Sequence, residues 1–276
     1  MILKKLMAAV RSPARAHARP EAVLPLEIEA KIARLHARAD IRRHLDILYG
    51  DVTVGSERFT DLYFRCLQAT GTAVTGFAVL PRFQTRYELL RFFLATLDVP
   101  GARAECGAYR GATALLLCHA WRSRRAYYDG ESFYLIDSYS GTPESSEHDF
   151  IPVRDESGTT RMESFFPPHK SDVTAEMVRN HLREFPRARI EQGWIPHVLD
   201  ALPDTAWAFV HVDVTLYTPT LAAIEYFYPR LSPGGVLLCE DSVFCPGVQK
   251  AVDAYSSTHD VPYVTLASRA TVFTKP

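Results

Sequence analysis

The chain has 276 residues, 47% of them hydrophobic, enough to bury one sizeable core with an appendage beside it. A formal net charge of -1 supplies no global basic field, which argues against nucleic acid as a partner. No apolar run approaches the roughly 20 residues that a membrane-spanning helix needs. Five cysteines without a CxxC pair suit reduced, buried thiols in a cytoplasmic protein better than a disulfide framework.

In chain order, residues 1–24 open as a basic arm, with Lys4, Lys5, Arg11, Arg15 and Arg19 and no acid in the first twenty. A targeting peptide, a membrane-surface helix and an arm resting on a neighbour or over a site all fit that charge pattern. The missing long apolar stretch and cleavage pattern favour the arm. Residues 25–98 read as helical: Ile28, Ile32 and Leu35 share one face, Tyr63 to Leu67 lie in a second helix, and Tyr87 to Leu94 in a third. Small residues over 70–76 interrupt this region as a hinge or lid loop would.

Residues 99–113, VPGARAECGAYRGAT, read as a strand, a tight glycine turn and a helix start. From there to residue 276 strands and helices alternate, the pattern of an α/β fold with a parallel sheet covered on both faces. Further strands are expected at 132–137, 188–192, 207–213 and 236–240, helices near 174–185, 218–230 and 247–258, and an antiparallel hairpin from 263–267 and 271–274. The interval 138–172 has no clear period and reads as an irregular, substrate-facing connection.

Ligands of open α/β sheets collect at the carboxyl ends of the strands. Gly107 and Gly111 allow close backbone approach, and the N–H groups of the following helix can face a polar ligand. Glu105 at the same edge would repel a pyrophosphate and favours a ligand with a cation and hydroxyls, such as S-adenosylmethionine. GAYRG also lacks the GxGxxG spacing of an NAD-dependent oxidoreductase. Asp137 can accept hydrogen bonds from a ribose diol, or simply cap the turn through Ser138 to Gly141. Trp194, after Gln192 and Gly193, can stack on an adenine or pack in the core.

Asp213, Glu240 and Asp241 end two more strands. If those strands are neighbours, the acids crowd together and require a divalent cation, a shared proton or a basic partner. An all-oxygen set suits Mg²⁺ better than Zn²⁺. In the alternative, Asp241 caps a loop and Glu240 faces solvent. His148, His169 and His197 have the titration range of a base, with nothing in their spacing to choose among them, and His211 reads as a satisfied core histidine.

Together VPGARAECGAYRGAT, LIDSYSGTPE, IEQGWIPHVLDALP, HVDVTLYTPTLAAIEYFYPRLSPGGVLLCED and PGVQKAVDAY resemble the macrocin O-methyltransferase family over roughly residues 80–264. The resemblance implies a class I methyltransferase, Rossmann-like sheet with a helical N-terminal extension. It implies an S-adenosylmethionine-dependent enzyme that methylates a sugar or phenolic hydroxyl of a natural product. By position it puts Glu105, Gly107, Gly111, Asp137, Gln192, Gly193 and Trp194 on the cofactor and Asp213, Glu240 and Asp241 on Mg²⁺. Tyr109 and Ser138, in the same turns, are expected at the cofactor as well, and Asp213, His148 and His169 are the candidate bases. Thr215 departs from the family, which usually has an aspartate there, and Glu240-Asp241 stands where paired aspartates are usual. A methyltransferase fold that binds the cofactor for another reaction, or as an accessory protein, is the alternative. Association through the N-terminal helices implies a homodimer or larger oligomer.

Overall fold

A computed structural model of the chain describes residues 45–73, 79–155, 158–242 and 245–276. The basic arm, the first expected helix and residues 74–76 of the expected 70–76 loop lie outside the described residues.

A short ribbon of β1 (Thr53–Val54) and β2 (Glu57–Arg58) leads into helix α1 (Phe59–Ala69), and α2 (Val79–Ala95) follows. The α/β region then runs β3 (Ala102–Cys106), α3 (Ala112–Arg124), β4 (Phe133–Asp137), β5 (Phe150–Arg154), β6 (Thr160–Ser164), α4 (Ala175–His181) and β7 (Arg189–Gln192). It continues with β8 (Trp207–Val212), α5 (Tyr217–Phe227), β9 (Leu231–Cys239), α6 (Pro246–His259), β10 (Val264–Thr265) and β11 (Thr271–Thr274).

Seven strands form one sheet in the order β7-β4-β3-β8-β9-β11-β10. The first five are mutually parallel, and β11 and β10 close the far edge antiparallel. Every residue of β3 and β8 is buried: β8 reads as an apolar run interrupted only by His211, while β3 buries Arg103 and Glu105 among small side chains. The chain winds outward from β3 to β4 and β7, then returns to β8 on the other side of β3. That reversal opens a crevice between the carboxyl ends of β3 and β8, where such sheets bind ligands.

Each face of the sheet carries its own packed layer. Phe59, Phe83 and Phe93 of the N-terminal helices join Leu116, Phe133 and Phe209 on one face. Trp207, Ile224, Phe227, Val248 and Phe273 fill the other. At the amino end of β3 the buried Arg103 donates to the carbonyls of Thr96 (2.8 Å), Leu97 (3.1 Å), Val99 (3.1 Å) and Gly101. It therefore supplies donors to the carbonyls of Leu97, Val99 and Gly101 beyond the end of α2 and a second donor to that of Thr96, which also accepts from the Val99 N–H. All five cysteines are buried free thiols.

Two expectations are corrected. The 138–172 interval is not irregular throughout, because β5 and β6 pair as an antiparallel hairpin from Phe150↔Ser164 to Arg154↔Thr160. Its residues are mostly exposed or half-buried, so no apolar period marked it. Strand β9 begins at Leu231 rather than 236, since Ser232, Pro233, Gly234 and Gly235 belong to the strand although they read as a turn.

Candidate functional site

A cavity of about 480 Å³ opens at the carboxyl ends of β3, β4 and β8, within the range of small-molecule sites. Its floor is the turn after β3. Gly107 has φ +87°, and a Cβ there would lie 2.0 Å from the carbonyl oxygen of Asp213. Only glycine lets the β3 and β8 loops approach this closely. Tyr109, Tyr139, Thr215 and Asp241, all on the cavity wall, also have positive φ. Non-glycine residues pay roughly 1–2 kcal/mol each for that conformation, and such strain collects where a site is held in a fixed shape.

Asp137 helps to fix this floor. Its Oδ2 accepts from the Tyr109 N–H at 2.8 Å and its Oδ1 from the Tyr139 N–H at 2.8 Å. Burial raises the pKa of Asp137, and those backbone N–H groups pull it back. The carboxylate thus caps its own turn, as one of the two sequence readings has it, and still lines the cavity.

Beside the floor lies a chain of charged groups. His211, fully buried on β8, faces Glu105 Oε1 through Nδ1 at 3.2 Å and Glu240 Oε2 through Nε2 at 2.9 Å. With a carboxylate on each nitrogen the ring is an imidazolium donating both ways. Burial alone would lower its pKa, but the hydrogen bonds to Glu105 and Glu240 carry it up to about 9. Glu240 Oε2 also accepts from Arg86 Nη1, and Arg86 Nη2 reaches Asp213 Oδ2 at 3.5 Å. Burial opposes the charge of Glu240, yet Arg86 and His211 hold its pKa well below the usual carboxylate range. Burial and the charge of Glu240 push Asp213 and Asp241 up.

The sequence-predicted residues divide. Glu105, Gly107, Tyr109, Asp137, Ser138, Gly193, Trp194, His169, Asp213 and Asp241 line the cavity. Gly111 does not: it begins α3 at φ +79°, and a Cβ there would strike Leu182 and Val178, so it serves helix packing. Gln192 reaches the Ser138 carbonyl at 3.4 Å from behind the wall. His148 stacks on Tyr217 at 3.9 Å on the surface, away from the cavity. His211 is buried and satisfied as expected, but its partners are the site's own carboxylates.

Arg86 went unseen in the sequence. An arginine in a helical stretch reads as part of a solvated face, yet this side chain is buried against acids more than a hundred positions away in the chain. Arg82 joins it on the cavity wall.

S-adenosylmethionine fits what is present. Glu105 Oε2 is buried on the wall without a hydrogen-bond partner, an acceptor left for a ligand donor beside the glycine floor. The acids fit Mg²⁺ poorly. One oxygen each from Asp213 and Glu240 and a nitrogen of His211 lie within 4.8 Å of one another, close enough for an ion. Both His211 nitrogens and Glu240 Oε2 are nevertheless already paired, and a guanidinium sits where the ion's charge would go. Mg²⁺ needs a near-octahedral set of oxygens at about 2.1 Å, and unit like charges about 4 Å apart repel by about 4 kcal/mol near a protein surface.

Comparison with known proteins adds a family to this fold. The profile of the macrocin-O-methyltransferase (TylF) family matches residues 71–272. Demethyldecarbamoylnovobiocin O-methyltransferase of Streptomyces niveus is 26% identical over 168 residues, 59% of this chain and 61% of that protein. Mycinamicin III 3''-O-methyltransferase of Micromonospora griseorubida is 26% identical over 168 residues, 59% of this chain and 63% of that protein. The matched stretch thus spans about three fifths of these relatives. The solved O-methyltransferase NovP superposes with a TM-score of 0.54 at 21% identity, covering 72% of this chain and 81% of that one. The calicheamicin methyltransferase CalS11 does so with a TM-score of 0.53 at 18% identity, covering 78% and 91%. At these identities the two structures establish the class I α/β fold alone, and the profile match over residues 71–272 makes the chain a member of the macrocin-O-methyltransferase (TylF) family.

Proposed function

We propose that the protein is an S-adenosylmethionine-dependent O-methyltransferase whose acceptor is a sugar or phenolic hydroxyl on a small-molecule natural product. The observation that carries this reading is Glu105, whose unpartnered buried oxygen shares the cavity wall with the Gly107 floor, Asp137 and, on the neighbouring strand end, Asp213. Relatives named as O-methyltransferases of demethyldecarbamoylnovobiocin and of mycinamicin III support the reaction class.

Glu105 and the Gly107 backbone would hold the cofactor's amino-acid end, Asp137 its ribose, and Trp194 with Gly193 its adenine. The cofactor supplies an electrophilic methyl on a sulfonium; an O–CH₃ bond forms as the S–CH₃ bond breaks, leaving a neutral thioether. The chain's part is to orient the acceptor for in-line attack, exclude water and take the hydroxyl proton. Asp213, on the cavity wall, would take that proton, and His169 lines the same cavity. His148 lies outside the cavity and has no place in this step. Mg²⁺ is left out of the step because Arg86 and His211 already hold the carboxylates that would bind it. The five buried free thiols support a reducing, cytoplasmic setting.

Isothermal titration of the purified chain with S-adenosylhomocysteine and, separately, with NAD tests the reading. Micromolar binding of the first and none of the second is expected. Binding of NAD alone would replace methyl transfer with a redox reading.

A further inference from the structure

We infer that Arg86 takes the place of a divalent cation in this chain, so that a guanidinium, and not a metal ion, holds the carboxylates together and polarises the acceptor oxygen. The inference deepens the proposed methyl transfer and rests on it for the acceptor, whereas the occupation of the carboxylates by Arg86 stands apart from it.

Three observations carry it. The first is position: Arg86 descends from α2 and bridges Glu240, at the end of β9, to Asp213, at the end of β8. A cation shared by those two strand ends would bridge the same pair. The second is charge. Glu105, Asp213, Glu240 and Asp241 face Arg86, His211 and the neighbouring Arg82, so the crowding that would call for a metal is already largely offset. The third is chemistry at the neighbouring position: Thr215, on the cavity wall with φ +59°, offers a hydroxyl and no charge where another acid would strengthen an ion site.

Arg86 lines the same cavity as Asp213 and Asp241. A guanidinium carries five N–H donors in one plane, and two of its nitrogens are engaged by the carboxylates. The donors left on the cavity side bind an acceptor oxygen and stabilise the negative charge that grows there as Asp213 takes the proton. Because arginine stays protonated throughout, this assistance needs no exchangeable ion.

Mn²⁺ titration of the full chain, read by electron paramagnetic resonance with and without S-adenosylhomocysteine, tests the inference. The native chain is expected to leave Mn²⁺ free up to millimolar concentration, while Arg86→Ala takes up a single ion on the vacated carboxylates. Methyl transfer by the native chain should survive exhaustive EDTA treatment, and that of R86A should depend on added Mg²⁺. A native chain that binds an ion stoichiometrically and loses it in Asp213→Asn overturns the inference, as does an R86A that folds and gains no ion. Where R86A does not fold, the native titration decides by itself: a bound ion overturns the inference and a free one supports it. Loss of S-adenosylhomocysteine binding in the same samples would instead defeat the methyl-transfer reading, leaving the ion result untouched.

Discussion

At the carboxyl ends of β3, β4 and β8, single side chains and single hydrogen atoms decide the geometry. Gly107 is the sharpest instance. With φ +87° and only 2.0 Å between an added Cβ and the Asp213 carbonyl, Gly107→Ala must push two strand ends apart. We expect it to lower stability by about 3 kcal/mol or more, read as a drop in the urea midpoint, together with loss of S-adenosylhomocysteine binding. A midpoint equal to that of the native chain would show that the two loops can part freely. Asp137 acts differently, because each of its oxygens already holds a backbone N–H and keeps lone pairs for a ligand. Losing hydrogen bonds to a charged group costs about 1.5–3 kcal/mol, so Asp137→Ala should weaken S-adenosylhomocysteine binding by roughly tenfold to a hundredfold. Calorimetry measures it, and an affinity within twofold of native would confine Asp137 to its turn.

Among the elements, α2 is held by two arginines, its own Arg86 and Arg103 of β3. Arg86 reaches from its middle into the cavity, while its C-terminus is tied down by Arg103 of β3, which also lies over the Trp121 ring at 4.3 Å. Arg103→Met keeps much of the volume and removes the guanidinium donors to the carbonyls of Thr96, Leu97, Val99 and Gly101, of which Thr96 keeps the Val99 N–H. Buried acceptors left unpaired cost about 1–3 kcal/mol each at most, and we expect a net loss of about 3 kcal/mol in urea unfolding. Cofactor affinity should hold, since Arg103 lies at the opposite end of β3 from Cys106 and the glycine floor. The element scale also explains what could be read in advance. Strand β8 announced itself because burial on both faces demands an apolar run, broken here only by His211. Strand β3 was marked by its small residues running into the glycine turn, and the acids at the strand ends stood out against them. The β5–β6 hairpin had no such signal, being half-exposed along both strands. Arg86 had none either: its partners are set by the packing of α2 against the strand ends, which no local pattern records.

For the molecule as a whole, the question is whether the α/β region from residue 99 onward is a unit in its own right. Sequence suggests that boundary, since the helical region stops where the glycine-turn motif begins. The packing argues against independence. Phe93 of α2 sits edge-on to Phe209 of β8, with ring centroids 5.4 Å apart, and to Trp121 of α3 at 5.8 Å. Phe59, Phe83 and Phe93 are fully buried in the same layer as Leu116, Phe133 and Phe209. Each buried phenylalanine contributes about 1.5–3 kcal/mol, and a whole domain of this size is stable by only about 5–15 kcal/mol. Removing α1 and α2 would therefore strip the covered face of the sheet, expose that layer to water, and take Arg86 and Arg82 from the cavity wall. A chain beginning at Val99 is expected to show helical and strand circular dichroism without a cooperative urea transition, to bind a hydrophobic dye, and to have no measurable affinity for S-adenosylhomocysteine. A cooperative transition with native-like affinity would show that the sheet supports the cofactor floor alone, and that the N-terminal helices serve only the acceptor side of the cavity.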